Sequence, residues 1–393
     1  MNNETLNLLG GLTRQQFLDE YWQKKPLLVR QAIPDAQGLS NPDELAGLSL
    51  EDEIESRILI GAEKGNQSQW QLKHGPFNND TYHSLPENEW TLLVQAINFY
   101  LPPFTPLISR FDFLPKWRID DVMASYAAPG GSVGPHFDHY DVFLIQGHGK
   151  RHWKIGQLCD ENSTLQTHPD LRLLKDLDTR EEWILEPGDM LYLPPRVAHF
   201  GVAIDSCITY SLGFTSPSTS QVAEYFCDDV LERDLSSKRY GDPPLVSQTP
   251  SGALDKNAIQ QFKLMLIEEL DKPEVLSDWL ARMISEPKYD DYNPAGNDPL
   301  SDEAFFSLLE NGEPLHRDEA SRFIFTEDED NTTILYINGC QYSHPNCPEL
   351  ASYLCDELIL NPTNLRPLLQ NKKIISWLNQ LHCSGYLYFD LEL

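Results

Sequence analysis

Two histidines and an aspartate stand where they can share one ion. Gly134-Pro135-His136-Phe137-Asp138 reads as extended chain. On a strand side chains alternate faces, so His136 and Asp138 point the same way. Fifty residues after His136, Glu186-Pro187-Gly188-Asp189 starts another strand, which leads through Leu193-Pro194-Pro195 to His199, sixty-three residues after His136. Two imidazoles and one carboxylate on one face of an ion leave three positions open, the arrangement by which non-haem Fe(II) takes a chelating cosubstrate and O2. An isolated H-x-D pair is usually structural. Followed by Gly-Asp, a strand, Pro-Pro and His, it reads as a metal site with His136, Asp138 and His199 as ligands. His139 falls on the opposite strand face, His148 sits in a glycine turn and His152 alternates away from Arg151. These three read as surface or supporting groups.

Such a centre needs an electron-donating cosubstrate, usually 2-oxoglutarate, whose remote carboxylate wants a fixed cation. In the strand at 150–155, Trp153 and Ile155 are the inward apolar set and Arg151 shares their parity. An arginine among apolar walls needs an anion, and its planar fork suits a carboxylate. Asp121, Met123, Ser125 and Ala127 share one face of the preceding strand. Ser125 can offer a hydroxyl to the cosubstrate. Asp121 is an acid in an apolar strand and calls for a cation. The residues alone leave two partners open, a structural one such as Arg118 or a substrate guanidinium or ammonium.

The elements that must hold these residues are short β-prone runs at 119–126, 142–145, 151–155, 182–185, 190–193 and 207–214, separated by turns such as Pro129-Gly130-Gly131 and Pro187-Gly188-Asp189. That texture predicts a mainly β core, an all-β sandwich or barrel. Before it, 17–22 reads as a short helix and 26–30 as a strand, while 51–60 and 90–100 carry helical periodicity. After Ser216-Pro217, Val222, Tyr225, Phe226 and Val230 fall at helical spacing, as do Ile259, Phe262, Leu266 and Leu270. Such faces need cover, from the barrel or from a second copy. A polar linker at 286–302 precedes a small α+β module with a hairpin, 323–325 to 334–337, across the acidic turn Glu327-Asp328-Glu329-Asp330.

At 393 residues the chain is long enough for two or three domains, at one per roughly 150 residues. Its formal charge of −30 disfavours non-specific nucleic-acid binding and favours basic partners, although many acidic cytosolic proteins carry such charge for solubility alone. The seven cysteines are scattered and contain no C-x-x-C pair, so neither a disulfide framework nor a zinc-finger spacing is present. Without a basic n-region or an apolar run of about 18 residues, a soluble cytoplasmic protein is expected.

The runs RIDDVMASYAAPGGSVGPHFDHYDVFLIQGHGKRHWKIG, LEPGDMLYLPPRVAHFG and ITYSLGF resemble the JmjC-type 2-oxoglutarate oxygenases. Within them the chain is most similar to the bacterial ribosomal oxygenases, which hydroxylate an arginine of large-subunit ribosomal protein L16. FLDEYWQKKPLLVR and NPDELAGLSLEDEIESRIL fit the same family, so the resemblance spans most of the first 215 residues. It implies a double-stranded β-helix (jelly-roll, cupin-like) catalytic domain over 1–215, a helical dimerisation region over 216–286, and a linker with a winged-helix-like domain over 287–393. It implies Fe(II) on His136, Asp138 and His199, 2-oxoglutarate held by Arg151 with help from Ser125, and O2 as co-reactant. Asp121, Met123, Tyr140 and Ser211 match positions lining the substrate arginine pocket. A basic ribosomal protein as substrate, a homodimer, and no membrane or direct nucleic-acid contact follow. Rival readings are a related oxygenase of a histidyl or lysyl residue or a small molecule, a non-oxygenase cupin, and a binding scaffold built on a vestigial barrel.

Overall fold

The run Val142-Phe143-Leu144-Ile145 is buried on both faces, as a central strand between two cores must be. In the computed structural model, which describes residues 4–61, 70–232, 239–242, 244, 252–271, 273–289, 292–327, 332–342 and 345–390, it lies near the middle of an eight-stranded antiparallel sheet. Within the first unit, Met1–Ser216, the strands of the two larger sheets are β1 (Leu27–Val29), β2 (Ser56–Ile60), β3 (Gln71–His74), β4 (Trp90–Val94), β5 (Ile119–Ala127), β6 (Val142–His148), β7 (Arg151–Leu158), β8 (Glu181–Leu185), β9 (Met190–Leu193), β10 (Val197–Ala203) and β11 (Cys207–Phe214). The large sheet runs β1-β9-β6-β11-β5-β4-β2-β3, and a smaller one runs β8-β7-β10.

The alternation along each strand sorts its residues between two cores. Val142 and Leu144 of β6 join Trp153 and Ile155 of β7 and Leu191 and Leu193 of β9 between the two sheets. Phe143 and Ile145, with Val122 and Ala124 of β5, face the other way, onto Phe17, Leu45, Phe104 and Leu107. Those residues belong to α1 (Arg14–Glu20), α2 (Pro42–Leu48) and α3 (Phe104–Ser109). The first two helices start at capping boxes, Thr13 with Gln16 and Asn41 with Glu44.

Two stretches read as helical are strands. Ser56–Ile60 and Trp90–Val94 pair with each other, and the second pairs with β5, extending the large sheet. Their apolar residues are buried on both faces, and over five residues such a run carries no period that separates strand from helix. Two strands of these sheets lie outside the runs singled out above, Gln71–His74 and Val197–Ala203, the second of which carries His199.

A buried polar knot ties the amino-terminal segment to the sheet. The Asp141 carboxylate, fully buried, accepts from Tyr192 Oη at 2.6 Å and from Gln23 Nε2 and Arg118 Nη2 at 3.2 Å each. Asp141→Ala strands the Arg118 guanidinium, whose side chain is only 15% exposed, and is expected to cost about 3 kcal/mol or more. Denaturant unfolding measures it, and a loss no larger than that of an exposed Asp112→Ala control would refute the assignment.

In the second unit, Pro217–Leu393, three helices come first, α4 (Thr219–Glu232), α5 (Lys256–Leu270) and α6 (Pro273–Ser285). Ile259, Phe262 and Leu266 on α5 are half or more exposed. Helices α7 (Asp302–Asn311), α8 (Pro348–Asp356) and α9 (Lys372–Cys383) then pack with two three-stranded antiparallel sheets around Phe305, Leu335, Leu350 and Leu378. The hairpin is there: Phe323–Glu327 pairs with Thr333–Ile337 in the register Phe323 to Ile337. Its acidic turn lies, from Asp328 onward, outside the described residues.

Candidate metal and cosubstrate site

His136 and Asp138 were expected on one strand. Instead the segment makes a single antiparallel bridge, His136 to His199. His136 N donates to His199 O at 3.0 Å and His199 N to His136 O at 2.8 Å. The ladder cannot run on because Pro135 lacks an N–H and Gly134 turns at φ +82°. A Cβ there would sit 2.7 Å from Leu173 Cδ2, which adds to the preference of the positive φ for glycine. Asp138 is anchored separately, its carbonyl accepting from Arg196 N at 2.6 Å.

The result is one cluster. A ligand atom from each of His136, Asp138 and His199 lies within 4.8 Å of the other two, with Asp138 Oδ2 and His199 Nε2 at 3.6 Å. Each imidazole is oriented from behind. His136 Nδ1 donates to Gly134 O and His199 Nδ1 to Val197 O, both at 2.9 Å. That fixes the tautomer and leaves both Nε2 lone pairs for an ion. Burial, then the neighbouring His136, lowers the His199 pKa to about 4 against the pull of Asp138. The ring therefore stays uncharged, as a ligand must be, through the neutral range. Two nitrogens and one carboxylate oxygen suit a divalent first-row ion.

Arg151 lies across the space between the sheets, 4% exposed. Its Nη1 donates to Ser125 Oγ at 3.0 Å, a bond from β7 to β5 that fixes both inward faces. Nε and Nη2 are buried without a hydrogen-bond partner, and among the described residues no carboxylate pairs with the guanidinium. A buried cation with two open donors of its fork is a seat for a carboxylate. Ser125 donates onward to Thr209 O at 3.3 Å, so its hydroxyl orients the arginine. Behind it Thr209 Oγ1 donates to Gln146 Oε1 at 3.1 Å. Sequence reasoning passed over Thr209 and Gln146. The parity of Thr209 with Ser211 on β11, and a glutamine ending the apolar run of β6, were the available signals.

Asp121 is 3% exposed, and its Oδ2 accepts from Gln95 Nε2 at 2.6 Å and Ala96 N at 2.9 Å. Arg118, considered as its structural partner, is instead turned to Asp141 and to Thr215 O. Met123 stands opposite Ser211 in the register of β5 and β11. Tyr140 and Asp121 both approach Gly213, at 3.9 and 4.0 Å from a Cβ built there. Burial, then the charges of Asp138, Asp121 and Asp120, pushes the Tyr140 phenol well above its usual pKa and keeps it protonated. Asp121, Met123, Tyr140 and Ser211 thus gather on and beside one sheet face, with Tyr140 42% exposed.

A JmjC domain model matches residues 106–222 and a ROXA-like winged helix model matches 265–388. Over 374 residues, 95% of this chain and 97% of the relative, the sequence is 34% identical to the ribosomal protein uL16 3-hydroxylase of Escherichia coli. The chain belongs to the JmjC ribosomal oxygenases. A probable ribosomal oxygenase of Haemophilus influenzae is 33% identical, over 84% of this chain and 81% of its own. Among solved structures, E. coli YcfD superposes with a TM-score of 0.86 at 34% identity, covering 96% of this chain and 98% of that one. YcfD in complex with cobalt and 2-oxoglutarate gives 0.83 at 33%, covering 97% and 99%. The jelly-roll barrel and winged helix of these ribosomal oxygenases are the architecture that the sequence resemblance implied. No helix among the described residues is long and apolar enough to cross a membrane.

Proposed function

We propose that the protein is an Fe(II)- and 2-oxoglutarate-dependent dioxygenase that hydroxylates an arginine residue of large-subunit ribosomal protein uL16 in the cytoplasm. The observation that carries the reading is the open fork of Arg151 in the same inter-sheet space as the three-residue cluster. A five-carbon keto dicarboxylate has a chelating end for one and a carboxylate for the other. The uL16 3-hydroxylase of E. coli supports the ribosomal substrate.

His136, Asp138 and His199 would hold the iron, which when bound supplies activation of O2 for insertion into a C–H bond. One oxygen atom leaves in succinate as CO2 is lost from 2-oxoglutarate, and the other becomes the hydroxyl. Arg151, oriented by Ser125, clamps the far carboxylate and fixes which way the cosubstrate lies. Asp121 offers negative charge to a guanidinium, and Tyr140, Met123 and Ser211 line its approach. Aiming a single C–H bond is a matter of position, so these contacts govern rate as well as affinity. The net charge of −30 would speed encounter with a basic protein.

The test is protein prepared anaerobically with Fe(II), 2-oxoglutarate and purified uL16, then exposed to air and analysed by mass spectrometry. One added oxygen on an arginine, with succinate in equal amount, is expected. Oxygen on a histidine or lysine would replace the substrate residue. Succinate without a modified peptide would remove uL16.

A further inference from the structure

We propose that Trp153 is a second binding residue for the dicarboxylate, its indole N–H donating to the carboxylate that Arg151 clamps. The proposal rests on the 2-oxoglutarate reading above. Trp153 follows Arg151 by two residues on β7, so both side chains enter the space between the sheets. It is 4% exposed, and Nε1 is buried with no hydrogen-bond partner. A buried indole N–H normally finds an acceptor.

The ring's position says which acceptor it awaits. The Arg151 guanidinium carbon lies 5.8 Å from the indole centroid, and the His199 ring lies 5.9 Å from it. The indole thus neighbours both the carboxylate clamp and the three-residue cluster. Gly201, opposite Trp153 in the β7–β10 register, fixes how the ring lies. A Cβ there would stand 2.8–2.9 Å from Cη2, Cζ3 and Cε3, near-equal distances that place the face of the six-membered ring over Gly201. Arg151 Nε and Nη2 are the other two buried donors there without an acceptor. One carboxylate has lone pairs enough for all three, and Ser125 is already committed to Arg151 and Thr209.

The experiment uses full-length protein labelled with 15N-tryptophan, loaded with Zn(II) and titrated with 2-oxoglutarate. The Trp153 indole resonance is recognised as the one first broadened when Mn(II) replaces Zn(II), which needs no variant. A downfield shift on ligand addition is expected. Trp153→Phe keeps a ring on Gly201 but removes the N–H. Its 2-oxoglutarate Kd by calorimetry should rise about tenfold, with Mn(II) affinity unchanged. Wild-type binding with an unmoved indole and a variant Kd within twofold would overturn this proposal alone, leaving Trp153 as packing. Failure of the metal-loaded wild type to bind 2-oxoglutarate at all would overturn the functional reading and this one with it.

Discussion

His136→Ala is expected to lower hydroxylation by at least a thousandfold and to weaken divalent-metal binding by more than a hundredfold. Changing groups that merely orient a metal-bound histidine costs about 10- to 100-fold in affinity or activity, so loss of a direct ligand should exceed that. The effect should be local. His136 is only partly buried, and its structural bonds, N to His199 O and O to His199 N, are backbone bonds that alanine retains. The melting temperature without metal should therefore stay close to the wild type, whereas the rise on adding Mn(II) should vanish. Mn(II) titration followed by electron paramagnetic resonance, beside the mass-spectrometric assay, reads both effects. Undiminished Mn(II) affinity would mean that His136 is not a ligand and would dismantle the cluster as a metal site.

The cluster was legible in the sequence because its chemistry is carried by residue type and its position by punctuation. Pro135, Gly188 and Pro194-Pro195 mark where strands start and stop around His136 and His199. Arg151 was legible for another reason. Parity with Trp153 and Ile155 turns a charged residue inward, and its burial with an open fork follows that parity. What strand alternation could not convey is how His136 and Asp138 are held. A single backbone bridge between two candidate ligands, with a left-handed glycine two residues before one of them, has no periodic signature.

The misread strands fail on the same physics. Trp90–Val94 and Ser56–Ile60 are apolar on both faces because the large sheet is covered on both, and that burial erases the alternation that marks a strand. Gln95, at the end of one of them, was for that reason not seen as a partner of Asp121. Asp141 was hidden because its partners come from distant segments, Gln23, Arg118 and Tyr192. Such long-range polar knots are set by tertiary packing, and local sequence carries no trace of them.

Arg151→Met is expected to move ligand affinity and stability in opposite directions. Arg151 is 4% exposed and, among the described residues, its guanidinium bonds only Ser125 and leaves Nε and Nη2 without acceptors. Two charge-assisted bonds to a carboxylate at about 1.5–3 kcal/mol each amount to a loss of roughly a hundredfold or more in 2-oxoglutarate affinity. In the unliganded protein the same side chain is a buried charge with no counter-ion among the described residues. Replacing such a group with an apolar one of similar volume is neutral or stabilising, by up to about 4 kcal/mol. Methionine should therefore unfold at the same or higher denaturant concentration than the wild type. The added stability that the metal-loaded wild type gains from 2-oxoglutarate, about 2.7 kcal/mol at a hundred times its Kd, should disappear. An arginine serving the fold predicts the reverse pair, a destabilised variant that still answers to 2-oxoglutarate. Two denaturation curves for each protein, with and without the ligand, separate these cases, because a residue that waits for an anion improves the empty barrel by leaving it.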